Sequence, residues 1–160
     1  MPEIDFQSWI DARSKSFFDY DFDKHLTLVH LPFAIATRTA VFVVEDEDKL
    51  RVGFNAWSDM LKSQRATDMI CTARKVDPIG DDMIAGTFDT EILRGAVRVC
   101  NPYRSTATLR KVDGTWKAIS IANGLMNSTW PFVLPNVDRD SGGQELIWTG
   151  DTDPTGENDG

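Results

Sequence analysis

Apolar side chains recur at helical spacing through the first third of the chain. Phe6, Trp9, Ile10, Arg13 and Phe17 predict an amphipathic first helix over residues 5–18. Asp5 precedes it as a cap, because its carboxylate can accept from the unpaired amides of the first turn. Asp19-Tyr20-Asp21 breaks that helix, and a shorter one is predicted from Phe22 to His30, with Phe22, Leu26 and Val29 on one face. Pro32 stops it, since proline disfavours helical geometry in the residue before it. Two short β-prone runs, Phe33–Thr37 and Ala40–Val44, flank Arg38-Thr39 as a hairpin. The acids Glu45-Asp46-Glu47-Asp48 then mark a helix start, where the positive end of the helix dipole favours them. Leu50, Phe54, Trp57 and Leu61 form an i, i+4, i+7, i+11 stripe, and this third helix ends near Arg65.

The pattern then changes to alternation. Four strands are predicted at Met69–Val76, Met83–Leu93, Val97–Lys111 and Trp116–Ala122, separated by breakers such as Asp77-Pro78, Arg94-Gly95 and Asp113-Gly114. Pro102, inside the third of these, marks a bulge, an edge or a sharp bend, because proline cannot donate to the ladder. Asp-Gly tolerates the positive φ angles of a tight turn, so the last two strands form a hairpin. With the turn at Asp113-Gly114, Leu109 faces Ala118, Ala107 faces Ser120 and Ser105 faces Ala122, and Tyr103 and Trp116 share their side. Thr108, Ile119, Ile121, Arg104 and Asn123 fall on the other. Ile84, Gly86, Phe88 and Ile92 are the apolar, inward side of the second strand. Strands this long suit a curved sheet wrapped around helices. Beyond Ala122 the periodicity fails. Trp130–Pro135 is expected as an extended apolar segment docked on the body, covering the cone mouth or a partner subunit, and Glu145–Trp148 as a short edge strand.

Length and charge narrow this further. The chain has 160 residues, enough for one sizeable core. We divide it into a folded domain at 1–137 and an acidic, flexible tail at 138–160. The tail holds seven acids and one base, a balance of −6, so the net charge of −8 leaves only about −2 for the rest. The acidity therefore describes a solvated tail. No basic cluster interleaved with aromatics is present, which argues against nucleic acid as a partner. No apolar run reaches membrane-span length, and the N-terminus lacks the features of a signal peptide, so a cytoplasmic location without membrane contact is the expectation. Cys71 and Cys100 are too few and too far apart for a disulfide scaffold or a zinc site, and no metal or other cofactor is expected.

Helix, short helix, hairpin, amphipathic helix and a four-stranded meander is an order that resembles the nuclear transport factor 2-like superfamily. Two stretches carry the likeness. Asp21-Phe22-Asp23-Lys24-His25-Leu26 resembles the family's helix break, and Arg104 through Lys117 resembles its last two strands, joined at a Gly followed closely by Trp and a basic residue. The resemblance covers about residues 5–122. It implies an α+β fold, a curved antiparallel sheet wrapped around three N-terminal helices as a cystatin-like cone, and pairing into a homodimer through the sheet face. Members include ketosteroid isomerases, scytalone dehydratase, limonene epoxide hydrolases, SnoaL-like polyketide cyclases and assembly domains, so the fold alone does not name an activity.

Each of these chemistries can be held against the residues. An isomerase of the ketosteroid type needs a tyrosine on the first helix and an aspartate near the first strand. Those positions fall at about Arg13 or Ser14 and at about Thr37 or Arg38, so neither role is filled. Tyr20, His25 and His30 supply the types for dehydratase chemistry, although packing explains them as well. Asp89, Glu91, Arg98 and Arg104 supply those for epoxide hydrolysis, and a solvated sheet surface with alternating charges is the plainer account. The inward set gives a pocket lining of Phe17, Trp57, Phe88, Tyr103, Ser105 and Ser120, which suits an uncharged, hydrophobic small molecule or is simply core. The leading expectation is a small-molecule-binding domain with a hydrophobic cone pocket. Its rivals are a SnoaL-like, cofactor-free isomerase, cyclase, dehydratase or hydrolase acting on a hydrophobic ring, and an assembly subunit.

Overall fold

A computed structural model of the chain describes residues 4–125. The Trp130–Pro135 segment, the strand expected at Glu145–Trp148, the end of the 1–137 domain and the tail at 138–160 lie outside the described residues.

Three helices form where the apolar stripes place them. They are α1 (Phe6–Phe18), α2 (Phe22–Leu28) and α3 (Glu47–Ser63). Each begins at an aspartate whose carboxylate accepts a backbone N–H three residues on: Asp5 from Ser8 at 3.0 Å, Asp21 from Lys24 at 3.0 Å and Asp46 from Lys49 at 2.9 Å. Caps of this kind contribute about 1 kcal/mol each, which matters most for a helix as short as α2. That helix ends two residues before the expected His30. Val29 is already extended, and Val29–Ala36 form β1, which contains Pro32. Proline biases its predecessor away from helical geometry and cannot donate to the neighbouring strand. The β1 register accordingly shifts between Val29 and Ala34.

The remaining strands are β2 (Val41–Val44), β3 (Asp68–Pro78), β4 (Met83–Arg94), β5 (Val97–Arg98), β6 (Tyr103–Val112) and β7 (Thr115–Asn123). They make one seven-stranded sheet ordered β2-β1-β7-β6-β4-β3, with β5 paired to β4. Neighbours are antiparallel except β1 and β7, which run parallel. A parallel pair needs a long crossover, here everything from β2 to β6. The single strand expected at Val97–Lys111 is two, β5 and β6, because the stretch holding Pro102 interrupts it.

Asp113 and Gly114 have φ of 51° and 81° and join β6 to β7 as expected. The register runs Leu109 with Ala118, then Thr108 with Ser120, which makes Ile119 an extra residue. This bulge inverts every side chain after it. Ala107 lies opposite Ile121 rather than Ser120, and Ser105 opposite Asn123 rather than Ala122. Ile121 therefore turns into the core, and the expected faces of β7 are corrected from residue 120 onward.

The helices cover one face of the sheet; α1 packs on β3, α2 on β1 and β7, and α1 touches both other helices. Between them Ile10, Met60, Leu61, Ile84, Phe88, Ile92 and Leu109 are fully buried. Gly86 is required where α1 comes closest: a Cβ there would lie 2.3 Å from the Phe6 ring. Cys71 is buried and Cys100 half-buried, both as free thiols. Among the described residues no helix is long and apolar enough to cross a membrane.

Candidate functional site

The helices do not fill the space over β1 and β7. A cavity of about 40 Å³ remains there, open to solvent on one side. That is room for a few waters or a small chemical group. Its wall is built by helical spacing. Arg13 and Phe17 stand one turn apart on α1, His25 projects from α2, and Leu50, Phe54 and Trp57 come from the α3 stripe. Phe33 and Ile35 of β1, with Ile121 and Asn123 of β7, form the sheet side. Lys49, half-buried in the first turn of α3, also lines it.

Aromatic rings dominate this wall. Phe17 lies 5.3 Å from Phe54 and 5.7 Å from Trp57, centroid to centroid, and the His25 ring sits 5.1 Å from Phe17 and 4.9 Å from Phe54. The Arg13 guanidinium lies over Phe17 at 5.2 Å. It is 9% exposed, and no ion pair among the described residues includes it. Burial lowers its pKa from the ordinary arginine value, and the groups that act against this are Cys71 and Tyr103, not a carboxylate. Arginine nonetheless stays charged in proteins. His25 is 5% exposed and its Nδ1 has no hydrogen-bond partner. Burial first, and Arg13 second, pull its pKa down to about 3, so the imidazole is neutral at neutral pH. Asn123 accepts a 2.7 Å hydrogen bond from the Ser105 hydroxyl at its Oδ1, which leaves its N–H pair to offer the cavity.

Behind Arg13 lies a buried polar cluster without carboxylates. The Cys71 sulfur is 3.4 Å from both the Ser14 and the Thr90 hydroxyls, and Tyr103 hydrogen-bonds Thr90. Burial pushes the Tyr103 phenol up, so it stays protonated. The cavity thus offers two cations, the buried Arg13 and the half-buried Lys49, with amide donors, a neutral imidazole and no acid among its described lining. Such a set holds an anion better than it moves protons at neutral pH.

Of the six residues read from the sequence as pocket lining, Phe17 and Trp57 line this cavity. Phe88 and Tyr103 face the same side but lie deeper; Phe88 meets Phe6 edge-on at 6.0 Å. Ser105 reaches the wall only through Asn123. Ser120 pairs with Thr108 on the opposite face, because of the bulge at Ile119. Arg13, His25, Lys49, Ile121 and Asn123 were not among the six. The signal for Arg13 was its place within the apolar stripe of the first helix. Nothing local announced Ile121 and Asn123, which face inward only because of the bulge. The dehydratase trio is not assembled, since Tyr20 is 44% exposed and donates to Asp59 at 2.7 Å while His25 lines the cavity. The hydrolase group lies outside: Arg104 and Arg74 grip Asp89 at 2.7 and 2.8 Å, and Arg98 grips Glu91 at 2.7 Å, on the face away from the helices.

No protein-family model and no curated protein matches the chain. Solved structures do match it. An NTF-2 like protein of unknown function from Shewanella oneidensis superposes with a TM-score of 0.59 at 8% identity, over 73% of this chain and 93% of that one. A Nostoc punctiforme protein of unknown function with a cystatin-like fold gives 0.57 at 16% identity, over 76% and 88%. An NTF2-like protein from Cytophaga hutchinsonii gives 0.56 at 13% identity, over 76% and 95%. At such identities the likeness speaks for architecture alone, and it does so plainly: this chain has the α+β, nuclear transport factor 2-like and cystatin-like fold.

Proposed function

We propose that this chain is a small-molecule-binding domain whose ligand enters the cavity between the three helices and the β1–β7 pair. The observation that supports it is the combination of an aromatic wall (Phe17, Phe54 and Trp57) with one buried polar atom on a lining side chain that finds no described partner, the His25 Nδ1. Buried polar atoms are normally satisfied, so an unbonded one on a side chain that lines a cavity supports the reading of a missing guest. The volume of about 40 Å³ admits a small head group, and a larger body extends across the open mouth.

Titration with small aromatic probes, indole and phenylacetamide among them, tests this with the chain observed by methyl NMR. Shifts concentrated at Ile35, Leu50 and Ile121 are expected. Saturable shifts elsewhere with those three unmoved would exclude the cavity as the site.

We propose also that the domain forms a homodimer through the outer face of the sheet. Exposed Ile70, 47% accessible, interrupts the charged side chains there and supports the reading. Light scattering at micromolar concentration checks it, and a strict monomer rules it out.

A further inference from the structure

We infer that the ligand of this cavity carries a carboxylate, held at the inner end by Arg13, with an apolar body lying along Phe17, Phe33 and Trp57. This rests on the reading of the cavity as a ligand site and adds the chemical class of its guest.

The argument starts from charge. The whole chain carries −8, yet the charged side chains lining the cavity are two cations, Arg13 and Lys49, with no aspartate or glutamate among the described lining. Of the two, Arg13 is the informative one. Lys49 is half-buried and keeps part of its water, whereas a guanidinium at 9% exposure has given up most of it. Burying a charge is costly unless a counter-charge and hydrogen bonds replace the lost hydration. Among the described residues no carboxylate pairs with Arg13; the Phe17 ring at 5.2 Å offers a cation–π contact, which is a partial substitute. A protein that only needed an apolar core here would use methionine or leucine on the same helix face.

Geometry narrows the guest to an oxyanion. Guanidinium presents parallel N–H donors whose spacing matches paired oxygens of a carboxylate or a phosphate. The neighbouring donors are neutral: the Asn123 amide, with its Oδ1 occupied by Ser105, and the His25 imidazole, whose Nδ1 is unpartnered and can carry the proton. One buried cation with neutral donors balances a single negative charge. Lys49 is only half-buried, so the second charge of a phosphate dianion would rest on a cation that water already reaches, and a monoanionic carboxylate at the buried Arg13 is the better complement. The free volume of about 40 Å³ suits a head group of that size. Lys49 then adds attraction for the incoming anion without being its anchor.

Phenylacetate and phenylacetamide, which share shape and differ in charge, form the test. Each is titrated into the full chain by calorimetry and methyl NMR. The expected result is at least about tenfold tighter binding of phenylacetate, weakened by salt, with Arg13→Met and Arg13→Gln each removing the preference while both variants keep the wild-type NMR fold. Equal binding of the two probes at the cavity methyls overturns the carboxylate inference and leaves the binding site standing. A preference that survives in both variants assigns the anion to another cation and overturns the role of Arg13. Binding of neither probe, with the cavity methyls unmoved, overturns the ligand site itself.

Discussion

The two faces of the sheet use the same residue types to opposite ends. On the outer face, Asp89 is held by Arg104 and Arg74 and Glu91 by Arg98, all at 2.7–2.8 Å and within reach of water. On the helix-covered face, Arg13 is buried with no such partner among the described residues, and His25 is kept neutral beside it. An exposed ion pair is inexpensive and contributes little, so natural sequences accumulate them without functional cause. A buried cation facing a cavity is expensive, so its presence points to a use. The difference teaches that charge identity says less about function than the solvent around it.

The comparison breaks most readily at the wall that separates the buried pair from water. Phe54 is 2% exposed and contacts Phe17, Phe22 and His25. Phe54→Ala is expected to cost about 3–5 kcal/mol in chemical denaturation, the usual range for emptying such a site. It also lets water reach His25, whose pKa should climb back toward 6.5 in an NMR titration. A loss below about 1 kcal/mol would mean the wall is not rigid.

His25 gives the next largest effect. Its folded pKa of about 3 lies below the ordinary 6.5, so the unfolded chain takes up a proton that the native chain refuses. Stability from this group is whole above pH 6.5 and declines as pH falls toward 3. The slope is about 1.4 kcal/mol for each pH unit within that window. Arg13 from α1 opposes protonation; Lys49 from α3 lines the same cavity, and no described acid there offsets either. His25→Phe should flatten the stability profile between pH 6.5 and about 4.5, above the range where carboxylates titrate. Parallel profiles for the two proteins would show that His25 is not the group responsible.

Much of the frame was legible because its signals are local. The Asp5 cap, the Leu50–Phe54–Trp57–Leu61 stripe and the Asp113-Gly114 turn each depend on a few neighbouring residues, and each stands where expected. What was not legible depends on two partners at once. β7 must keep register with β6 on one side and with parallel β1 on the other, and the bulge at Ile119 reconciles them. No residue type there advertises it, so Ser120 was read as inward and Ile121 and Asn123 as outward. The end of α2 acts similarly. Stopping at Leu28 makes Phe22, His25 and Leu28 its buried set rather than Phe22, Leu26 and Val29 on one continuing helix. Arg13 stood in plain view within an apolar stripe. Long cationic side chains often cover such stripes while their heads reach water, and only the packing of α2 and α3 over it reveals that this one does not.

Replacing the buried cation tests the cost assigned to it. Arg13→Met keeps an unbranched stem of similar reach and removes the charge. Because the pairing is missing rather than merely weak, the unliganded variant should gain about 1–2 kcal/mol of stability, measured by denaturation without added anions. A loss of stability instead would show that Arg13 is satisfied within the fold, and the contrast between the two faces would lose its basis.

The outer face should respond least. Arg104 first and Arg74 second hold the Asp89 carboxyl down at about 2. A depressed carboxylate contributes stability that is present above the ordinary value of 3.8 and lost as pH falls through 2, a window that overlaps that of His25 only between about 3 and 3.8. Solvent and salt screen these bonds, and two arginines freed by Asp89→Asn remain hydrated, so the change at neutral pH should stay under about 1 kcal/mol and shrink further in high salt. Denaturation curves for wild type and Asp89→Asn at low and high ionic strength would measure both quantities. A cost of several kcal/mol that salt leaves untouched would mean the outer network is shielded from water. It would then be the Asp89 cluster that demands explanation, and burial of that face in a dimer would supply one.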